Sequence, residues 1–278
     1  MSKQRKTPRV TKKVAARKRR SQPLPKLGKP GYGWLADLPD HRDLLFDQIR
    51  PAIAALPPSI DLRPTCPPVE NQGQLGSCTA NALVGGLEFL ELKDSIKLVD
   101  LSRLFIYYDE RLIEHTVKSD SGAQIRDGIK TLAKQGVCPE KEWPYNIAKF
   151  AVKPTAACYK DALQHKISTY HRILTLNDMR TCLASGFPFV FGFTVYESFE
   201  SPQVAQTGIV NMPQPGEKVL GGHAVLAVGY DDSQQRFIVR NSWGTTWGQK
   251  GYFTIPYAYL SDRNLSDDFW TIRRGGDM

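Results

Sequence analysis

The stretch NQGQLGSCTANAL (71–83) decides how this chain is read. A cysteine heads an apolar run in which Ala80, Leu83, Val84, Leu87 and Leu90 share one face at helical spacing, so a helix is predicted from Ser77. Cys78 then falls in the first turn, where unpaired backbone N–H groups and the helix dipole favour a thiolate. A free cysteine is equally an ordinary small core residue. The two readings separate on whether the chain also supplies a base, a group to orient it and an oxyanion donor.

His223 is the distinctive one of the five histidines. It follows Gly221 and Gly222 and opens the apolar strand HAVLAVGY (223–230), a rigid mount that a second chain can approach closely. His41, His115, His165 and His171 sit among polar residues without a motif. Asn241 ends the neighbouring predicted strand RFIVRN (236–241) and can accept from one ring nitrogen, leaving the other for the thiol. Trp243 is placed to shield that contact from water. Gln72, turned back by Gly73-Gln74-Leu75-Gly76, can offer its amide beside the Cys78 N–H as an oxyanion donor. The chain has no CxxC or HxxxH ligand pair, no GxxxxGK[ST] or GxGxxG loop and no GxSxG elbow, so neither a metal nor an organic cofactor is implied.

Further helices are predicted from Ser102 to Leu112, from Ile125 to Gln135 before Gly136, and over Asn177–Ser185. After Pro188 the pattern changes to strands, at PFVFGFTVY (188–196), HAVLAVGY, RFIVRN and GYFTIP (251–256). Helices first and strands second predict an α+β protein of two subdomains with a cleft between them. The compact body is expected to start near Leu56, after a Pro- and Gly-rich stretch.

The formal charge of +9 is not spread along the chain. Residues 1–20 hold ten Lys or Arg and no acid, which leaves 27 basic against 28 acidic side chains in the rest. The first twenty residues read as a disordered basic tail able to meet an anionic partner, a nucleic acid or a membrane surface. There is no secretory signal and no apolar stretch long enough to span a bilayer, so a cytoplasmic monomer is the default expectation. The odd count of five cysteines, at low density, suits reduced thiols.

Three blocks, VENQGQLGSCTANAL (69–83), GGHAVLAVGYD (221–231) and RNSWGTTWGQKGYFTI (240–255), resemble the papain-like cysteine proteases, in a bacterial branch. Weaker likeness at LPPSIDLR (56–63) and SGAQIRDGIKTLAKQGV (121–137) extends it over about 56–275. His223 and Asn241 lie 145 and 163 residues after Cys78, against about 130–150 in that family. The resemblance implies a papain-like fold, with a helical subdomain (56–167) and an antiparallel β-barrel subdomain (168–278), preceded by the tail (1–20) and a pro-segment-like extension (21–55). It implies an endopeptidase acting on peptide or protein substrates, with Cys78 as nucleophile, His223 as base, Asn241 as its orienter and Gln72 as oxyanion donor. Gly122 and Ala123 fall where the family pairs with an extended substrate, and Gly222 and Trp243 flank the same cleft. Ile125 and Ala224 fall near the pocket for the second residue before the scissile bond, with an apolar preference. Thr79 stands where the family has tryptophan, and Leu75 and Asp120 stand where it has a disulfide. The extension is short for an inhibitory pro-segment, but GYGWLADLPD (31–40) could still lie along the cleft. A thiol acyltransferase using the same residues, or a non-catalytic polyanion-binding protein on this scaffold, are the rival readings.

Overall fold

The structure, a computed structural model, describes residues 31–275. The predicted basic tail lies outside the described residues. Among the described residues seven α-helices, α1 (Cys78–Lys93), α2 (Arg103–Ile113), α3 (Ile125–Lys134), α4 (Ala156–Ala162), α5 (Leu176–Ala184), α6 (Pro202–Thr207) and α7 (Tyr257–Ser261), accompany nine strands. These are β1 (Trp34–Leu35), β2 (Ser59–Asp61), β3 (Ala123–Gln124), β4 (Thr169–Arg172), β5 (Phe189–Tyr196), β6 (Val219–Asp231), β7 (Arg236–Arg240), β8 (Tyr252–Pro256) and β9 (Ser266–Arg273).

Seven strands form one antiparallel sheet in the order β4-β9-β5-β6-β7-β8, with β2 on β6. α1 is buried from Cys78 to Glu91, because it packs on β6 and also on α2 and α3. A helix enclosed on every side has no solvent face and buries apolar surface all round. One core gathers around α1–α3 and a second, rich in phenylalanine, lies against the sheet.

The predicted long helices and the four strands are all present. Ser102 caps α2 by accepting from the Phe105 amide at 3.1 Å. β4, β9 and the short helices α4, α6 and α7 were not expected from periodicity, which such short or mixed segments scarcely carry. The packed body also begins earlier than Leu56. Phe46 is buried in the second core, Asp37 is buried, and β1 pairs in parallel with β3. A short apolar patch such as Leu44-Leu45-Phe46 looks featureless until its distant partners are known.

Candidate active site

Cys78 opens α1, with no side-chain cap on Ser77, and it is fully buried. Behind it, Thr79 Oγ1 donates to Glu110 Oε2 at 2.8 Å. Burial holds the Glu110 carboxyl well above the usual range. The position where the family has tryptophan thus carries a small polar contact to α2. The missing disulfide is also replaced: the Asp120 carboxylate accepts from the Gly76 amide at 3.0 and 3.1 Å and from the Tyr107 hydroxyl. The same loop is tied by hydrogen bonds in place of sulfur.

Gln72 is gripped from three sides. Its Oε1 accepts from Ser242 Oγ at 2.5 Å and its backbone N–H donates to the Ser242 carbonyl at 2.8 Å. Its own carbonyl accepts from the Tyr145 hydroxyl at 2.9 Å, and that hydroxyl also meets Ser77 Oγ at 2.5 Å. With Oε1 fixed as acceptor, the Nε2 amide must point out as donor. Sequence reasoning passed over Ser242 and Tyr145. Ser242 had a signal in its place between Asn241 and Trp243, whereas Tyr145 had none.

His223 sits at 0 % exposure in β6 with Nε2 2.8 Å from Asn241 Oδ1. That oxygen also accepts from the Ser242 amide at 2.8 Å, which fixes it as oxygen. The imidazole must therefore donate from Nε2, and Nδ1 keeps its lone pair. Nδ1 is buried with no hydrogen-bond partner. Trp243 lies over the ring at 5.0 Å between centroids, and Phe193, Phe199 and Tyr32 complete an aromatic box. Burial drives the imidazole down to about 4, against the Asn241 hydrogen bond. Burial likewise pushes the Cys78 thiol up to about 12, opposed by backbone hydrogen bonds from Ala224 and Gly33. In this state burial favours the neutral form of both groups.

Gly33 belongs to a strap, residues 31–44, that runs across Gln72, Gly222 and Ala123. The Gly31 carbonyl accepts from Gln72 Nε2 at 2.9 Å. Gly33 N donates to the Gly222 carbonyl at 3.1 Å, and the Ala123 amide donates to the Gly33 carbonyl at 2.7 Å. The approach is so close that a Cβ on Gly33 would lie 1.7 Å from the Gly76 carbonyl oxygen, and one on Gly122 2.2 Å from that of Gly33. Trp34 pairs with Ala123, beside buried Ile125, while Tyr32 hydrogen-bonds Glu200 and covers Trp243. Of the residues singled out in the sequence, His223 contacts Asn241 and Trp243 directly, and the strap meets Gln72, Gly222 and Ala123.

A model of the papain family of cysteine proteases matches residues 56–265. The chain belongs to the papain family of cysteine proteases. It is 45% identical over 272 residues to an uncharacterised peptidase C1-like protein of Acanthamoeba polyphaga mimivirus, covering 88% of each. It is 30% identical to a cathepsin L-like peptidase of Aedes aegypti over 73% of this chain and 60% of that one. Its fold matches the crystal structure of xylellain, a cysteine protease from Xylella fastidiosa, with a TM-score of 0.81 and 45% identity over 90% of this chain and 98% of that one. The protein is a cysteine-type peptidase with a papain-like α+β fold.

All five cysteines of this protease are free thiols. Among the described residues, one group has metal-ligand spacing: Cys138, Glu142 and Cys158, whose ligand atoms lie within 4.8 Å of one another. No described helix is long and apolar enough to cross a membrane.

Proposed function

We propose that this protease is an endopeptidase held inactive by its own strap. The observation that carries the reading is the His223 imidazole, locked by Asn241 so that Nδ1 is a buried acceptor without a partner. A base with its lone pair fixed is what a thiol nucleophile needs.

With the strap withdrawn, water returns and the burial that keeps both groups neutral is relieved. Cys78 then gives its proton to His223 Nδ1 and the thiolate attacks the scissile carbonyl carbon. The tetrahedral oxyanion is held by Gln72 Nε2 and the Cys78 N–H. The C–N bond breaks as His223 returns the proton to the leaving amine. Water, deprotonated by His223, cleaves the thioester and restores the thiol. Asn241 keeps the ring in one tautomer throughout, and Trp243 keeps water from that hydrogen bond.

The strap blocks this sequence at two points. The Gly31 carbonyl takes the hydrogen bond of Gln72 that the oxyanion would need, and Gly33 occupies the backbone positions of Gly222 and Ala123. Full-length Gly33→Val tests both halves of the reading on a fluorogenic peptide, since its side chain cannot fit against Gly76. Activity that rises on ejection of the strap and vanishes when Cys78→Ala is added supports it. Unchanged activity in Gly33→Val removes the strap's role, and cleavage that survives Cys78→Ala removes the nucleophile. Added amines that divert product from acid to amide would mark acyl transfer in place of hydrolysis.

A further inference from the structure

We infer that a second cavity, remote from Cys78 in the chain and in its lining, binds a small apolar monocarboxylic acid, with the carboxylate held by Arg273 and His171. The site shares no residue with the proposed catalytic machinery and stands whether or not the protease reading does.

The cavity lies where the sheet meets the segment that follows the strap. Its volume is about 460 Å³, within the range of small-molecule sites. Phe46, Ile49 and Pro51 supply one wall, and Phe187, just after α5, supplies another. The remaining wall is β4 with β9. These strands pair antiparallel, with Thr169 opposite Arg273 and His171 opposite Thr271. Side chains alternate along a strand, so these residues share one face. Trp270 and Ile272 take the other face and belong to the first core. Ile173 and Phe269, two positions further along the shared face, are fully buried in the second core. The face therefore changes from apolar to polar where it reaches the cavity.

The polar groups there lack the partners that burial demands. Arg273 is only 4 % exposed. Its Nη1 donates to the Ile272 carbonyl at 2.8 Å and to the Thr271 hydroxyl, and its guanidinium lies 3.7 Å from the Phe187 ring centroid. Among the described residues no carboxylate pairs with it, and no acid lines the cavity. His171 is 7 % exposed, and its Nδ1 is buried without a hydrogen-bond partner. A buried cation without a counter-charge and a buried ring nitrogen without a partner are both costly. One carboxylate relieves both, accepting from the guanidinium fork and from the His171 Nδ1–H. The apolar body of the acid then covers Phe46, Ile49 and Phe187. A bare anion would leave these walls wet, and an uncharged apolar molecule would leave Arg273 unanswered.

The test titrates full-length protein with decanoate, decanol and acetate by calorimetry. Decanoate should bind at one site per chain. Decanol, which keeps the chain and loses the charge, should bind roughly 10- to 100-fold more weakly, the range for hydrogen bonds to a charged group. Acetate, which keeps only the charge, should give no measurable binding. Arg273→Gln should lower decanoate affinity by the same roughly 10- to 100-fold and leave decanol unchanged. Decanol binding as tightly as decanoate, or decanoate indifferent to Arg273→Gln, would overturn the assignment. Ile49→Glu serves if Arg273→Gln does not fold. Ile49 is 44 % exposed, so the body tolerates the change, and the new carboxylate competes for Arg273. Decanoate affinity should fall there too, and an unchanged affinity would overturn the site. Several decanoates per chain, bound equally by wild type and both variants, would mark adsorption to apolar surface and count against it as well.

Discussion

The two halves of the strap are held by different physics. Its front, Gly31–Trp34, lies in the cleft through backbone hydrogen bonds and contacts that only glycine permits. Its rear, Asp37–Leu44, is held by side-chain charge. Asp37 accepts from Trp270 Nε1 at 3.0 Å and from the Arg126 amide at 3.2 Å, and Arg126 also pairs with Asp43 and donates to the Leu38 carbonyl. Arg172 joins Asp43 at 3.3 Å and Asp268 at 3.0 Å. The front mimics what a peptide offers the cleft. The rear anchors it and is built of groups that titrate.

Breaking the front should have the larger effect. In a strap-ejected Gly33→Val background, Gln72→Ala should lower kcat by roughly 100- to 1,000-fold with KM little changed, because an oxyanion donor acts only in the transition state. A loss shared equally by kcat and 1/KM would make Gln72 a substrate-binding residue. At the rear, Arg126→Leu leaves Asp37 and Asp43 without their main cation. A severed buried pair costs about 3–5 kcal/mol, so Tm should fall while activity on a small peptide rises. A fall in both would mean that Arg126 supports the body and not only the strap.

The pH response separates the halves further. Burial first, then repulsion from Asp268, raises the Asp37 carboxyl above the usual range, and burial raises Asp268 as well. Arg126 and Arg172 oppose this without cancelling it. A carboxyl raised in the docked state favours docking below its free pKa, and that contribution is lost as pH rises through the docked value. These two carboxyls should therefore make the strap hold more tightly in acid and loosen towards neutral pH, outweighing the buried His223, which works the other way. The ratio of wild-type to Gly33→Val activity cancels the pH dependence of the chemistry itself and should climb between about pH 5 and 8. A ratio that falls over that range would contradict the coupling. The smallest effect belongs to Tyr145→Phe, which loses one brace on the Gln72 carbonyl and should cost about 1 kcal/mol of stability by denaturant titration.

The same contrast explains what could be read from the sequence. Cys78, His223 and Asn241 stand in short motifs whose glycines and aromatics are unusual together, so they could be singled out before any fold was known. Gln72 was legible through its distance from Cys78. Asp268 was not: only the irregular pairing of β9 with β5 and a tryptophan more than two hundred residues away bring its carboxylate to the strap. Asp37, Asp43 and Arg126 are likewise ordinary charges until the strap folds back on α3 and β9. Local pattern finds chemistry carried on contiguous residues, while anchors assembled from distant parts of the chain require the fold.

The central claim is a thiol protease capped by its own strap, and one measurement meets it most directly. Wild-type and Gly33→Val full-length protein are treated with a thiol-directed epoxide, and intact mass is followed over time. The account predicts one slow adduct on Cys78 in wild type and fast labelling of the same residue in Gly33→Val. Equal rates in the two proteins, or labelling of another cysteine in place of Cys78, would contradict it.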